Sequence, residues 1–166
     1  MRLLKVLAIL MVVIVLAAVG LVVYFFSTAN VTVMATSSSG MLATENQARF
    51  DELKQAVATG TLIGTRFDSG QGELGEAADY AFITYTARIS NQCLFPIDMV
   101  EIQVVPETGD VLQIGTQQAY SLGARSIGDI QTTILTGRDS HAIRELVITY
   151  YIWGRPFTIS RTAGAK

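Results

Sequence analysis

Cys93 and His141 are each the only residue of their kind in this chain of 166 residues. A thiol beside an imidazole is the minimum for cysteine nucleophilic catalysis, because the imidazole takes the thiol proton and leaves the attacking thiolate. A third group must orient the imidazole, and Asn91, Asp98 and Asp139 are the candidates. Everything then depends on whether Cys93 and His141 meet in space, which sequence does not specify. Cys93 sits in RISNQCLFPIDMVEI, next to Leu94, Phe95 and Ile97, where a small buried filler at a corner between two strands is the plainer reading. His141 sits in the polar turn GRDSHAIRE. One Cys and one His also fall short of a tetrahedral metal set without distant carboxylates. No catalytic, cofactor-binding or metal-binding residue is therefore expected.

Four other groups of residues carry chemistry on paper. GQGELG, Gly70 to Gly75, matches G-x-G-x-x-G, but a dinucleotide site needs a helix to begin there and EAADYAFITYTARI reads as a strand. Asp68, Glu73, Glu76 and Asp79 in the same loop are hard oxygen donors, yet glycines stand where a calcium loop needs its second and third ligands. Tyr150, Tyr151 and Trp153 resemble a carbohydrate-stacking platform, although large aromatics on the closing strand of a sandwich more often form core and rim. Asn30-Val31-Thr32 is a glycosylation sequon that lies close to a long apolar run, where its use is not expected.

The elements that must position these residues begin with that run. Val6 to Phe26 contains no charge and no proline. At about 21 residues it spans roughly 30 Å as a helix, enough to cross the hydrocarbon of a bilayer. Arg2 and Lys5 precede it, no further Lys or Arg occurs before Arg49, and Tyr24, Phe25 and Phe26 stand at its far end. The positive-inside bias and the aromatic belt both put the N-terminus in the cytoplasm and the remaining chain outside. Ser27 to Ala29 offers small residues to a signal peptidase, so cleavage is the alternative; the apolar run exceeds the usual signal core of about 7 to 15 residues, so a retained anchor is expected. Either way the rest is exported. Without Arg2 and Lys5 that part carries 10 basic and 14 acidic residues, a net charge of −4, which argues against nucleic acid as a partner. A single cysteine allows no internal disulfide, so core burial must supply the stability.

Beyond the run, STANVTVMATSSSG reads as a stalk or edge strand with a flexible Ser-rich break ending at Gly40. TENQARFDELKQAVATG is an amphipathic helix: Thr44 and Gln47 suggest a capping box, Phe50, Leu53 and Val57 recur at helical spacing, and Gly60 is a stop. From Thr61 onward the period is two. Ala81, Ile83, Tyr85, Ala87 and Ile89 share one strand face, as do Val100, Ile102 and Val104, then Ile130, Thr132 and Ile134, then Leu146, Ile148, Tyr150 and Ile152. About seven strands with turns every 8 to 15 residues predict an antiparallel sandwich.

The order YAFITYTARISNQCLFPIDMVEIQVVP, GDVLQI, SLGARSIGDIQTTIL, RELVITYYI resembles the membrane-proximal β-sandwich of LEA type 2 (water stress and hypersensitive response) proteins and related fibronectin-like export domains. Asn91 and Pro96 stand where that family ends one strand and crosses to the next, and NQC replaces the Asn-Pro-Asn run of its plant members. The resemblance implies a noncatalytic domain and brings no catalytic residues. The expectation is thus a mainly β chain, an Ig-like or fibronectin-like sandwich with one added amphipathic helix, preceded by one transmembrane helix. It divides into a cytoplasmic N-terminus (1–5), a membrane helix in the lipid bilayer (6–26), a stalk or edge strand (27–42), an extracytoplasmic domain (43–161) and a tail (162–166). The expected role is a noncatalytic module on the outer face of a bacterial membrane, binding another envelope protein or acting as a subunit of a membrane assembly, with no cofactor. A Cys/His enzyme and a secreted ligand-binding domain are the alternatives.

Overall fold

The structure, a computed structural model, describes residues 2–27, 30–67, 73–115 and 119–164. Asp68, Gly70, Gly72 and the Thr28-Ala29 part of the cleavage motif lie outside the described residues. The apolar run forms α1, Arg2–Ser27. From Leu4 to Tyr24 its side chains are exposed, and only Phe25 and Phe26 are half-buried. A helix apolar on all sides, with no polar stripe, has no face suited to water.

Among the described residues nine strands follow: β1 Val31–Leu42, β2 Gly64–Arg66, β3 Tyr80–Asn91, β4 Ile97–Val104, β5 Asp110–Ile114, β6 Tyr120–Leu122, β7 Ile127–Gly137, β8 Arg144–Ile152 and β9 Arg155–Ala163. They form two antiparallel sheets, ordered β1-β3-β7-β5-β2 and β6-β4-β8-β9. Without the three-residue β2 and β6, the chain order is that of an immunoglobulin sandwich, four strands facing three. All four expected inward sets lie between the sheets, closing a core around Tyr85, Ile89, Ile134, Leu146, Ile148 and Ile152. At the open edge Gln113 takes the place of a strand neighbour: its side chain accepts from the Val104 amide at 3.0 Å and donates to Ile102 O at 2.6 Å.

The Ser-rich break is not a break. Ser37, Ser38, Ser39 and Gly40 pair in register with Thr86, Tyr85, Thr84 and Ile83 of β3, so β3 supplies the backbone partners that the serine run by itself does not predict. The stalk therefore shrinks to the three residues between Ser27 and Val31. The tail also starts later than expected, because β9 runs to Ala163, which is buried and pairs with Arg144.

The amphipathic helix is α2, Gln47–Thr59, and it covers the outer face of the five-stranded sheet. Phe50 and Leu53 pack with Phe82, Leu112 and Leu135 in a second core. Phe82, on the face of β3 opposite Ile83 and Tyr85, is buried for this reason, which makes that end of β3 apolar on both sides. Asn46, not Thr44, caps the helix, accepting from the Arg49 amide at 3.3 Å, because Ala43–Asn46 form a 3-10 turn first. Gly60 ends α2 in the left-handed conformation, φ 69°.

The strands give the molecule two ends. Asn91 of β3 lies beside Val31, just after α1, while Tyr80 at its other end lies beside Gly137. These are called the helix end and the far end below.

Candidate functional site: two ends of one sandwich

The far end is organised by an arginine. Arg144 opens β8 in the inward phase of Leu146 and Ile148, and its side chain is 1% exposed. Two parallel hydrogen bonds join it to the equally buried Asp110, Nε to Oδ2 at 2.7 Å and Nη2 to Oδ1 at 2.8 Å. Its Nη1 donates to the carbonyls of His141 at 3.0 Å and Ile143 at 2.6 Å, and reaches Glu107 Oε2 at 3.3 Å. Asp110 also accepts from the Glu107 amide at 2.9 Å. Burial alone would push the Asp110 carboxyl up; the hydrogen bonds from Arg144 and the Glu107 amide outweigh it and hold the group below the usual carboxylate range. Tyr85 completes the cluster, donating to Ala142 O at 2.9 Å, with its phenol pushed up to about 12 by burial. A forked arginine on a buried carboxylate, with its Nη1 on two backbone carbonyls, is a structural ion pair.

His141 is exposed beside this cluster, Nε2 at 3.1 Å from Glu107 Oε2. With Asp79, Arg138 and Asp139 it rims an open cleft of about 640 Å³. Cys93 lies at the other end. The nine residues of β8 separate the level of His141 from that of Trp153, which stacks by Cys93's neighbour Phe95; at strand rise this is about 25 to 30 Å. The structure does not bring Cys93 and His141 together.

Cys93 sits in a corner built by Asn91. The buried Asn91 amide donates to Gly123 O at 2.8 Å, Phe95 O at 3.0 Å and Leu122 O at 3.3 Å, and its oxygen accepts from the Cys93 amide at 3.0 Å. The Gln92 amide bonds Asn30 O and the Arg125 amide bonds Cys93 O, so β1, the corner and the β6–β7 turn are tied together. The Cys93 thiol is 3% exposed and points its weak donor at Asn30 O, 3.8 Å away. Burial pushes its pKa up, which depletes the thiolate. Native Cys93 should therefore react with iodoacetamide at neutral pH many times more slowly than the same chain in denaturant. Equal rates would mean an accessible, activated thiol. Replacing Cys93 with Ala should cost only about 1 kcal/mol, the scale of a small buried filler.

The other sequence-level candidates also separate. Asp98 is exposed on β4 opposite Tyr151, and Asp139 is exposed at the far end. Glu73, Glu76 and Asp79 are exposed, with Lys54 Nζ at 4.0 Å from Glu76 and on Gly75 O at 2.9 Å. Among the described residues no group of His, Cys, Asp and Glu converges to hold a metal ion. Tyr150 is core, stacked on Phe157 at 5.6 Å, whereas Trp153 is 58% exposed at the β8–β9 turn, so the three aromatics form no single platform.

What the helix end does assemble is an aromatic contact between α1 and the sandwich. Phe25 meets Phe95 edge-on at 6.0 Å, Phe26 meets Trp153 edge-on at 5.4 Å, and Phe95 lies 4.8 Å from Trp153.

No family model matches the chain, and no curated protein matches it. Among solved structures, the cupredoxin domain of amoB from Nitrosocaldus yellowstonii is similar at 11% identity, over 82% of this chain and 88% of that one, with a TM-score of 0.33. Likeness at that level brings no chemistry to this chain.

Sequence reasoning passed over Arg144 and Asp110. Arg144 carried a signal, since it stands on the inward parity of β8 with Leu146; Asp110 did not, since its phase mate Leu112 packs under α2 and a register shift separates the two. A charge in buried phase predicts a buried partner.

Proposed function

We propose that the chain is a noncatalytic, single-pass membrane protein, N-terminus in the cytoplasm, that holds an Ig-like sandwich against the outer face of the cell membrane to bind another envelope protein. One observation carries this reading: the rings at the end of α1 pack on Phe95 and Trp153 of the domain. A signal sequence destined for removal has no use for specific contacts with the domain it delivers. A retained anchor does, because they fix the height and orientation of the sandwich over the bilayer. The three-residue link from Ser27 to Val31 supports the same picture, since so short a connection cannot act as a flexible tether. The noncatalytic part rests on the distance between Cys93 and His141 and on the pairing of buried Arg144 with buried Asp110.

Fractionation with alkaline carbonate, followed by crosslinking in intact cells, tests both halves. The full-length chain should stay in the membrane pellet and yield a discrete crosslinked species containing a second envelope protein. Recovery of a soluble form beginning near Asn30 would replace the anchor with a signal peptide.

A further inference from the structure

We infer that the helix end of the sandwich is itself a lipid-contact surface, seated in the headgroup interface around the exit of α1 with Trp153 and Leu94 as its deepest side chains. The inference rests on the anchoring proposed above and adds a second point of membrane contact to it.

Among the described residues outside α1, the exposed large hydrophobics are Met34, Ile63, Leu94, Met99, Val105, Ile127 and Trp153. Five of these seven lie at or near the helix end; Ile63 and Val105 do not. They arrive from separate places in the chain. Met34 is on the bulge that opens β1, Leu94 is in the Asn91 corner, Met99 is on the bulge of β4, Ile127 begins β7 opposite Ser90, and Trp153 tips the β8–β9 turn. Five elements converging their uncovered apolar side chains on one end differ from the scattered single exposures normal for a surface.

The level of that end relative to a bilayer follows from α1. Its uncharged run ends at Phe26, about 21 residues and roughly 30 Å from its start, where hydrocarbon gives way to headgroups. Phe26 is in ring contact with Trp153, so the indole stands within one side chain of the same level. Tryptophan favours that depth, with its ring in the apolar boundary and its N–H among polar groups. Arg125 and Arg155 are exposed at this end with the acid Asp98, while Arg88 and Asp129, level with Met34, pair with each other at 2.8 Å. That local excess of positive charge, on an exported part with a net charge of −4, suits lipid phosphates.

Backbone geometry agrees. Among the described residues the non-glycine positions with positive φ are Met99 at 49°, Arg125 at 50° and Trp153 at 49°, all close to the helix end. The Trp153-Gly154 turn is of the two-residue kind in which small polar residues or glycine fit most easily. An indole there is held outward at the tip, where it gains nothing from the sandwich core.

Trp153 is the only tryptophan, so intrinsic fluorescence reads this position alone. The full chain would be reconstituted into phosphatidylcholine vesicles whose acyl chains carry bromine either near the carbonyls or near the methyl ends, with and without phosphatidylglycerol. Shallow bromines should remove about half of the Trp153 emission, deep ones much less, as expected for a ring at the interface. Leu94→Glu, a change at an exposed site, should weaken the shallow quenching and shift the emission to the red. A chain that floats with the vesicles and resists carbonate, yet whose Trp153 is unquenched by lipid and quenched by iodide, overturns the inference and leaves the anchor intact. Trp153 shielded from both lipid and iodide also overturns it, in favour of a second copy covering the patch. A chain that does not float removes the anchor, and this surface with it.

Discussion

Arg144→Ala should lower the unfolding free energy of the full chain in detergent by about 3 to 5 kcal/mol, followed by circular dichroism of the sheets in urea. The substitution leaves the Asp110 carboxylate, whose side chain is 0% exposed, without its guanidinium, and an unpaired buried charge is the largest single liability a core can acquire. It also frees the carbonyls of His141 and Ile143. The double replacement Arg144→Met with Asp110→Leu should recover most of the loss, because nothing charged then remains buried. The pH dependence separates this account from simple loss of packing. In the unaltered chain Asp110 is depressed, so its contribution is present above about pH 4 and is lost as pH falls through the lower folded value. In Arg144→Ala burial is opposed only by the hydrogen bonds from the Glu107 amide and Thr136, so Asp110 should rise and that variant should lose stability as pH rises. The gap between the two should therefore be widest at neutral pH and narrow toward pH 4. A gap that is the same at both pH values would mean that the charge pair is not its cause.

Asn91→Ala should cost about 3 kcal/mol, since one side chain serves the Phe95, Leu122 and Gly123 carbonyls and the Cys93 amide, and each buried group left unmet costs about 1 to 3 kcal/mol unless water reaches it. Asn91→Asp should be at least as damaging. It keeps an acceptor for the Cys93 amide but turns a carboxylate toward three carbonyl oxygens. Both variants should speed alkylation of Cys93, because the corner that shields the thiol is the one Asn91 ties. A destabilised variant with a still-protected thiol would show that the β6–β7 turn, not the corner, depends on Asn91.

Much of the sandwich was legible because its signal is local. Val100, Ile102 and Val104 alternate with polar residues, and all three lie where alternation puts them. What escaped depends on neighbours remote in sequence. Ser37 to Gly40 form strand only because β3 lies alongside. Phe82 is buried because α2 crosses the far face of its sheet, a placement that the periodicity of β3 cannot encode. Arg144 shows its phase in sequence, but neither its pairing with Asp110, 34 positions away, nor the register shift beside Asp110 is encoded there. Nor does spacing set the distance between Cys93 and His141; the length of β8 does. Asn91 was legible as the end of a strand, though not as the residue that holds the corner. In RISNQCLFPIDMVEI, then, the asparagine carries the structural role and the cysteine fills space beside it.

The central proposal is topological: that α1 crosses the membrane and the sandwich stands outside it. The native thiol is buried, so the unaltered chain gives a nearly silent background for thiol labelling. Glu52→Cys places a reactive group on the exposed face of α2, far from the helix end. Treated in intact spheroplasts with a maleimide that cannot cross the membrane, this variant should label as fully as after lysis, while the chain itself stays in the membrane fraction. Labelling that appears only after lysis would put the sandwich in the cytoplasm and contradict the account.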